Sequence, residues 1–407
     1  MYDLAATGAW IEFAVRWLHV ITGIAWIGSS FYFIALDLGL HRDRKLASGA
    51  DGEEWQVHGG GFYHIQKYLV APDNMPDGLI WHKWQSYWTW ISGFVLLVLV
   101  YYLGAEFYLI DPNVADLAPW QAIALSVGSL AFGWLVYTTL CKVFVEADQT
   151  VLMVALFGVL VGMSYFYASV FSGRAAMLHL GAFTATIMSA NVFMVIIPNQ
   201  KIVVDDLMAG RTPDAKYGKI AKQRSTHNNY LTLPVIFLML SNHYPLAFGT
   251  QYTWIIASLV FLMGVTIRHY FNSMHARKGQ PSWTWAATAL IFLVIIWLST
   301  APMAGQNNTE EAQGAAVQFA QAEGFDEVQE IMLSRCSMCH AAEPVWNGLL
   351  WAPKGVILET EHQIAVQARQ IYLQAGISHA MPPANLTYVP DEERAQIVRW
   401  YLAATGS

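Results

Sequence analysis

The chain of 407 residues is 55% hydrophobic and only 13% charged, whereas soluble globular domains carry roughly 25% charged residues. This composition excludes an ordinary soluble enzyme. The net charge of −7 comes from one end, because residues 1–300 hold 17 basic and 17 acidic side chains and residues 301–407 hold 5 and 12. A neutral apolar body is therefore joined to a small acidic tail, and neither has the basic surface expected of a nucleic-acid-binding protein.

Eight apolar runs in the body have about the 20 residues that a helix needs to cross the hydrocarbon core of a bilayer. They lie at 10–37, 84–109, 119–141, 150–172, 174–198, 228–247, 252–274 and 283–301. The sixth run is the weakest because it contains Pro234, although buried proline is tolerated in membrane helices. The sequence predicts an all-α fold, with an eight-helix integral membrane bundle at 1–301, a linker at 302–314 and a small helical domain at 315–407.

The distribution of basic residues predicts the orientation of these helices, since Lys and Arg collect in cytoplasmic loops. If the N-terminus lies outside, segments 38–83, 142–149, 199–227 and 268–282 face the cytoplasm. Together they contain 15 of the 17 basic residues of the body. The sequence therefore predicts that both termini lie outside.

The acidic tail contains Cys336-Ser337-Met338-Cys339-His340. This C-x-x-C-H pattern is the attachment sequence of a c-type haem, in which two thiols bond the porphyrin and the adjacent imidazole binds the iron. A zinc site is less favoured, because no second cysteine pair exists in the chain. Downstream, Met381 precedes two prolines that restrain the backbone around a soft thioether donor. We predict covalent attachment through Cys336 and Cys339 and axial ligation by His340 and Met381, with His379 and His362 as alternatives to Met381.

An amphipathic helical pattern at 316–333 precedes the motif, and a final helix begins after Pro390 with acidic residues in its first turn. This order of elements resembles a class I cytochrome c. Because that family carries its haem on the outer side of a bacterial membrane, the resemblance agrees with the orientation predicted from charge.

Ionisable side chains inside membrane helices are costly to bury and are functional candidates. In the first span Glu12, Arg16 and His19 fall at i, i+4 and i+7, so they share one face, and the first two can form an ion pair. Other histidines form an outer tier with His19 and a tier near the cytoplasm. The outer tier adds His179 and His243, and the inner tier comprises His82, His227, His269 and His275. Two interpretations of the tiers stay open: a b-type haem held by His19, His179 or His243, or histidines that each satisfy only local hydrogen bonds.

A second candidate site lies in the 38–83 segment, where His58-Gly59-Gly60-Gly61-Phe62-Tyr63-His64 precedes Lys67. The glycines allow a ligand to approach the backbone closely, and the aromatic side chains can stack on a flat heterocycle. A structural loop folded against the membrane face explains the same residues equally well.

Three features together resemble the membrane-bound, cytochrome c-fused urate oxidases, also called urate hydroxylases. They are Trp17-Leu18-His19-Val20 at the start of an eight-span body, the His58-Gly59-Gly60-Gly61-Phe62-Tyr63 loop and the C-terminal C-x-x-C-H domain. The resemblance implies an oxidoreductase of purine catabolism in the bacterial inner membrane, with a periplasmic cytochrome domain. It implies conversion of urate to 5-hydroxyisourate, with electrons leaving through haem c to a downstream cytochrome c or terminal oxidase instead of forming peroxide.

Urate is a flat purine anion, and its oxidation needs an anion-binding group, a proton acceptor and a nearby electron acceptor. We predict that Arg16 binds the anion and that Glu12 or His19 acts as the base. An inner site at His58, His64 and Lys67 would meet cytosolic urate but would need further haems to carry electrons across roughly 30 Å of hydrocarbon. Two other functions stay open, namely a quinol-oxidising electron-transfer subunit with a tethered cytochrome c and a transporter with a redox sensor.

Overall fold

The computed structural model describes residues 4–68, 78–111, 114–144, 149–300, 317–346, 349, 352–353, 356–377 and 379–406. The chain divides into two units, Met1–Thr300 and Ala301–Ser407. The predicted linker at 302–314 lies outside the described residues. The described chain is mainly helical, and its one sheet has two strands.

Helices follow one another through the first unit, and runs of Leu, Val, Ile and Phe dominate most of them. They are α1 (Leu4–Gly39), α2 (Trp84–Leu96), α3 (Pro119–Val143), α4 (Gln149–Val170), α5 (Gly173–Ala190), α6 (Ile197–Met208), α7 (Ala215–Leu240), α8 (Thr253–His275) and α9 (Trp283–Thr300). Two π-helical stretches, Leu97–Tyr102 and Ala105–Leu109, follow α2, and a third, Asn191–Ile196, joins α5 to α6.

Among the residues that the structure describes, five helices are long and apolar enough to cross a membrane by length and composition. They are Trp10–Gly39, Pro119–Val143, Gln149–Val170, Gly173–Met208 and Thr253–His275. Trp283–Ser299 is apolar but shorter. A mainly helical protein with several apolar helices is therefore confirmed.

The predicted sixth span differs most from the helix that contains it. Helix α7 begins at Ala215 rather than at 228, because Asp214 caps it by accepting a hydrogen bond from the Lys216 backbone N–H at 2.9 Å. Its first turns are polar, which lowers its mean hydropathy. Pro234 is accommodated because Gly264 of α8 lies against it, where a Cβ would come within 2.5 Å of the proline ring.

The expectation of an all-α body is wrong in the 38–83 segment. Here β1 (Ala50–His58) and β2 (Gly61–Tyr68) pair as an antiparallel hairpin. Gly59 and Gly60 form its two-residue turn with φ of +60° and +79°, angles that favour glycine. The glycines are thus explained by the turn.

The core of the first unit centres on α5, whose Phe183 and Ile187 are buried. They pack in one cluster with Leu156 and Tyr167 of α4 and Phe261 of α8. The polar clusters described below are held within this frame.

The second unit has its own core. It contains α10 (Phe325–Ile331), a π-helical stretch (Met332–Cys336), α11 (Glu361–Val366), α12 (Ala368–Ile371) and α13 (Asp391–Thr405). Ile397 and Trp400 of α13 are buried with Phe325 and Val328 of α10. The final helix begins one residue after Pro390, with three acidic residues in its first turn.

Candidate functional site

The C-x-x-C-H segment forms a single turn at the end of the Met332–Cys336 stretch. The backbone N–H groups of Cys339 and His340 donate to the Cys336 carbonyl at 3.1 and 2.9 Å. Within the described chain the two cysteines form no disulfide, and burial raises the pKa of the Cys336 thiol to about 12. No group of three or more His, Cys, Asp or Glu side chains suited to a metal ion occurs in the described part of the chain. The turn thus presents two thiols and one imidazole, which fits haem attachment.

The imidazole of His340 has one nitrogen fixed by the protein. Its Nδ1 lies 2.9 Å from the Val356 carbonyl oxygen, which can only accept, so Nδ1 carries the proton. Such a bond leaves Nε2 as a lone-pair donor of fixed direction, as metal-binding histidines require. His340 therefore fits an iron ligand.

Met381 is held at the edge of the same core, where it contacts the buried apolar cluster. Its segment is fixed by Arg394, which is 4% exposed. One guanidinium nitrogen donates to the carbonyls of Ala375 and Met381 at 2.6 and 2.9 Å, and another donates to Asn385 Oδ1 at 3.0 Å. Sequence reasoning missed Arg394, because its partners lie in a different segment.

The two alternatives to Met381 are placed less suitably. His362 and His379 are both exposed, whereas Met381 is half-buried against the core. A weak thioether ligand needs a fixed, apolar setting, so Met381 fits the sixth position better.

In the first unit, Glu12 and Arg16 form the predicted ion pair along one face of α1. Their side chains are 39% and 36% exposed. The carboxylate therefore balances the charge of the Arg16 guanidinium through one contact, at Nη2.

His19 does not join that pair but contacts α2. Its Nδ1 lies 3.0 Å from the Thr89 carbonyl oxygen and 3.1 Å from Ser92 Oγ, so Nδ1 again carries the proton. Nε2 makes no hydrogen bond within the described chain. The helices approach this closely because residue 93 is glycine, where a Cβ would lie 2.8 Å from His19 Cε1. His19 therefore fits a haem ligand.

The other two proposed b-haem ligands differ from His19. His179 is fully buried, and its Nδ1 donates to the Ala175 carbonyl at 2.8 Å while Nε2 accepts from Ser126 Oγ at 2.9 Å. Both nitrogens are used, so His179 does not fit an iron ligand. His243 is exposed at the end of the short 3-10 turn Ser241–His243.

The residues of the hairpin are tied into structural contacts. His64 Nε2 lies 2.7 Å from Glu53 Oε2 and its ring stacks on Trp55 at 4.2 Å. Lys67 pairs with Asp37 of α1, whereas His58 is exposed. These contacts favour the structural interpretation of this segment.

A cavity of about 420 Å³ lies beside the hairpin, at the ends of α1 and α8. Its polar lining comprises Tyr32, His41, Glu54, Gln56, His275 and Arg277. Because Arg277 donates to the Gly39 carbonyl at 2.9 Å and contacts His41, its guanidinium already has acceptors there.

A second polar group, which we call the inner polar cluster, is buried between α3, α7 and the start of the Asn191–Ile196 stretch. It comprises Tyr137, Asn191, Arg224, His227 and Asn228, each at most 5% exposed. By sequence, Arg224 lies in a predicted cytoplasmic segment and His227 in the inner tier of histidines, and no local pattern connects them with the other three residues. The one sequence signal is the i, i+3, i+4 spacing of the three α7 residues.

The fold and these clusters define a helical protein with membrane-length helices and buried ionisable groups between them. Residues 5–299 match the family model of the urate oxidase N-terminal domain. The chain therefore belongs to that family, and membership indicates a urate-related oxidoreductase of purine catabolism. No curated protein and no solved structure matches the chain. The match ends before the C-terminal unit.

Proposed function

We propose that the protein is a membrane-bound urate oxidase that converts urate to 5-hydroxyisourate and passes the electrons through its own haem c to the respiratory chain. One observation carries the proposal. A urate oxidase N-terminal domain at residues 5–299 is followed in the same chain by the haem-attachment motif Cys336-x-x-Cys339-His340.

Cys336 and Cys339 would hold the haem covalently, and His340 and Met381 would bind its iron. The haem supplies a one-electron acceptor that can be reduced by the substrate and oxidised by a partner. The protein itself fixes the positions of the two iron ligands. The Val356 carbonyl orients the His340 ring, and Arg394 anchors the backbone of the Met381 segment.

The proposal places eight helices across the bacterial inner membrane, with the N-terminus and haem domain in the periplasm. It is supported by the helical segments at the predicted spans and by 15 of 17 basic residues in the segments assigned to the cytoplasm. The tail of charge −7 would favour a basic docking partner, such as a soluble cytochrome c or the oxidase itself. Electron transfer to that partner should then slow as salt rises.

Among the three predicted catalytic residues, His19 is the one whose ring nitrogens are placed as those of a haem ligand would be. We assign it as a ligand of a b-type haem that carries electrons through the membrane domain, since its Nδ1 is held by α2 and its Nε2 makes no hydrogen bond to the part of the chain that the structure describes. The Glu12–Arg16 pair is assigned to stabilising α1, because each charge already has its partner.

The test uses membranes that contain the full chain. Addition of urate without oxygen should reduce the c-type haem, and in air urate should disappear without an equivalent yield of peroxide. Double substitution Cys336→Ser and Cys339→Ser is the matched control and should abolish the haem signal. Reduction by a quinol but not by urate would instead establish the electron-transfer subunit.

A further inference from the structure

The hairpin formed by β1 and β2 carries its most exposed apolar side chains at its tip. Val57 and Phe62, which pair across the two strands, are 72% and 80% exposed. Nearer the base, Trp55 is 55% exposed and its ring stacks on that of His64. No Asp, Glu, Lys or Arg occurs from 55 to 65. Adjoining exposed apolar side chains of this kind mark a surface that contacts lipid or another protein.

One face of the hairpin changes from charged to apolar along its length. At the base, Glu53 contacts Arg44 at 3.9 Å and His64 at 2.7 Å. Because side chains alternate across a strand, Trp55 and Val57 share the face of Glu53. The order from charged to aromatic to apolar matches the passage from water through the headgroup layer to hydrocarbon, since Trp favours membrane interfaces.

The opposite face of β1 lies against α1 and shows which way the hairpin points. The backbone of Glu53 exchanges hydrogen bonds with that of His41, just after the end of α1. Farther along β1, Gln56 Oε1 accepts a hydrogen bond from the Tyr32 hydroxyl at 2.8 Å. Tyr32 lies about two turns before the end of α1. The contacts therefore step back along α1, and the tip points away from the end of that helix.

The beginning of α2 marks the level on α1 that Gln56 reaches. The ring of His82, just before α2, lies 4.8 Å from the ring of Phe33. Because Phe33 follows Tyr32 directly, Gln56 lies at about the level where α2 and the predicted second span begin. Three further residues carry β1 about 10 Å beyond that level to the turn of the hairpin. The tip thus reaches the depth at which this span enters the lipid.

The backbone limits how deep the tip can lie. A two-stranded sheet has N–H and C=O groups along its outer edges that no third strand pairs. Such groups are not tolerated in contact with hydrocarbon, whereas the headgroup layer supplies water and polar atoms for them. The hairpin therefore fits the interface of a bilayer rather than its core.

We propose that the hairpin tip, residues 55–64, is a membrane anchor that inserts into the headgroup layer of the bilayer. The proposal rests on the membrane location proposed above, and the predicted orientation makes this the cytoplasmic leaflet. Val57 and Phe62 reach the hydrocarbon boundary and the Trp55 ring lies among the headgroups. The charged base around Glu53 stays in water.

The experiment measures the depth of a spin label on the full-length protein in lipid nanodiscs. Accessibility to oxygen, which concentrates in lipid, is compared with accessibility to a nickel chelate, which stays in water. Each added cysteine is placed in a Cys141→Ala parent, and the labelled parent supplies the background. Phe62→Cys should give a ratio of oxygen to nickel accessibility several-fold higher than Ser48→Cys, in the exposed loop before β1. Val154→Cys, on the lipid-length helix α4 and 66% exposed, should give the highest ratio.

A second set of variants tests the apolar contact itself. With the label at Val57→Cys, Phe62→Asp should lower the ratio several-fold, because a carboxylate is costly to bury near hydrocarbon. Phe62→Leu is the matched control and should leave the ratio unchanged. Neither change at this position disturbs a packed core, since Phe62 is exposed.

The outcomes separate the anchor from the proposed function. A label at 62 that meets nickel as readily as the label at 48, or one shielded from both reagents by protein, overturns the anchor. So does an unchanged ratio in Phe62→Asp. In these cases a lipid-exposed label at 154 and urate-dependent haem reduction still uphold the enzyme. A lipid-exposed tip without urate-dependent haem reduction overturns the enzyme and keeps the anchor, and a label at 154 in water overturns the membrane location of both.

Discussion

Two histidines, one in each unit of the chain, share a hydrogen-bonding pattern although they reach it differently. His340 donates from Nδ1 to the Val356 carbonyl at 2.9 Å, and His19 donates to the Thr89 carbonyl at 3.0 Å. The partner of His340 lies 16 residues away, whereas that of His19 lies 70 residues away on another helix. The orientation of the His340 ring is therefore a property of one loop, and that of the His19 ring depends on how two apolar helices pack.

The largest expected effect comes from substituting the two cysteines of the segment that contains His340. Cys336→Ser combined with Cys339→Ser removes both attachment points, so no haem should remain on the chain after denaturing electrophoresis. Urate-dependent electron transfer should fall to background, because the exit of electrons is lost. Haem staining of the gel and the rate of reduction of added cytochrome c measure the two effects. Covalent haem in the double variant would place the attachment elsewhere.

Substitution of His19 should leave the c-type haem unchanged. His19→Ala should remove the non-covalent b-type haem, read as a fall in the b to c ratio by pyridine haemochrome. His179→Gln is the matched control, since His179 uses both nitrogens in hydrogen bonds. It should keep the ratio and lose about 1–3 kcal/mol of stability from unpaired buried groups. An unchanged ratio in His19→Ala would show that His19 holds no haem.

Sequence reasoning succeeded where the determining contacts are local. Helical spacing predicted the Glu12–Arg16 ion pair, which the structure contains. It failed where contacts join distant segments. Tyr137 is 54 residues from Asn191 and 90 from His227, so no window of sequence shows the inner polar cluster. The glycines at 59 and 60 left a ligand loop and a structural loop open, because a two-residue turn has the same composition.

A smaller effect concerns the Met381 segment, which we propose supplies the second axial ligand of a haem. Arg394→Gln should cost roughly 3 kcal/mol, because a buried guanidinium that makes three hydrogen bonds is lost. Met381→Ala should keep the haem attached but lower its reduction potential, since a methionine ligand raises it. Chemical denaturation and redox titration measure these changes. If Met381→Ala leaves both the potential and the ligand-field spectrum unchanged, His379 or His362 becomes the ligand to test.

The smallest expected effect tests whether packing alone orients His19. Gly93→Ala places a methyl group 2.8 Å from His19 Cε1, so the ring or α2 must shift, at a cost of about 1–3 kcal/mol. The b-type haem spectrum should broaden or weaken while the c-type spectrum stays unchanged, because no helix pair positions His340. Gly128→Ala on α3 is the control, since nothing lies within 4 Å of its added Cβ. Equal spectra in the two glycine variants would mean that the hydrogen bond to Thr89 fixes His19 without the close approach of α2. His19 and His340 would then differ only in how far along the chain their hydrogen-bond partners lie.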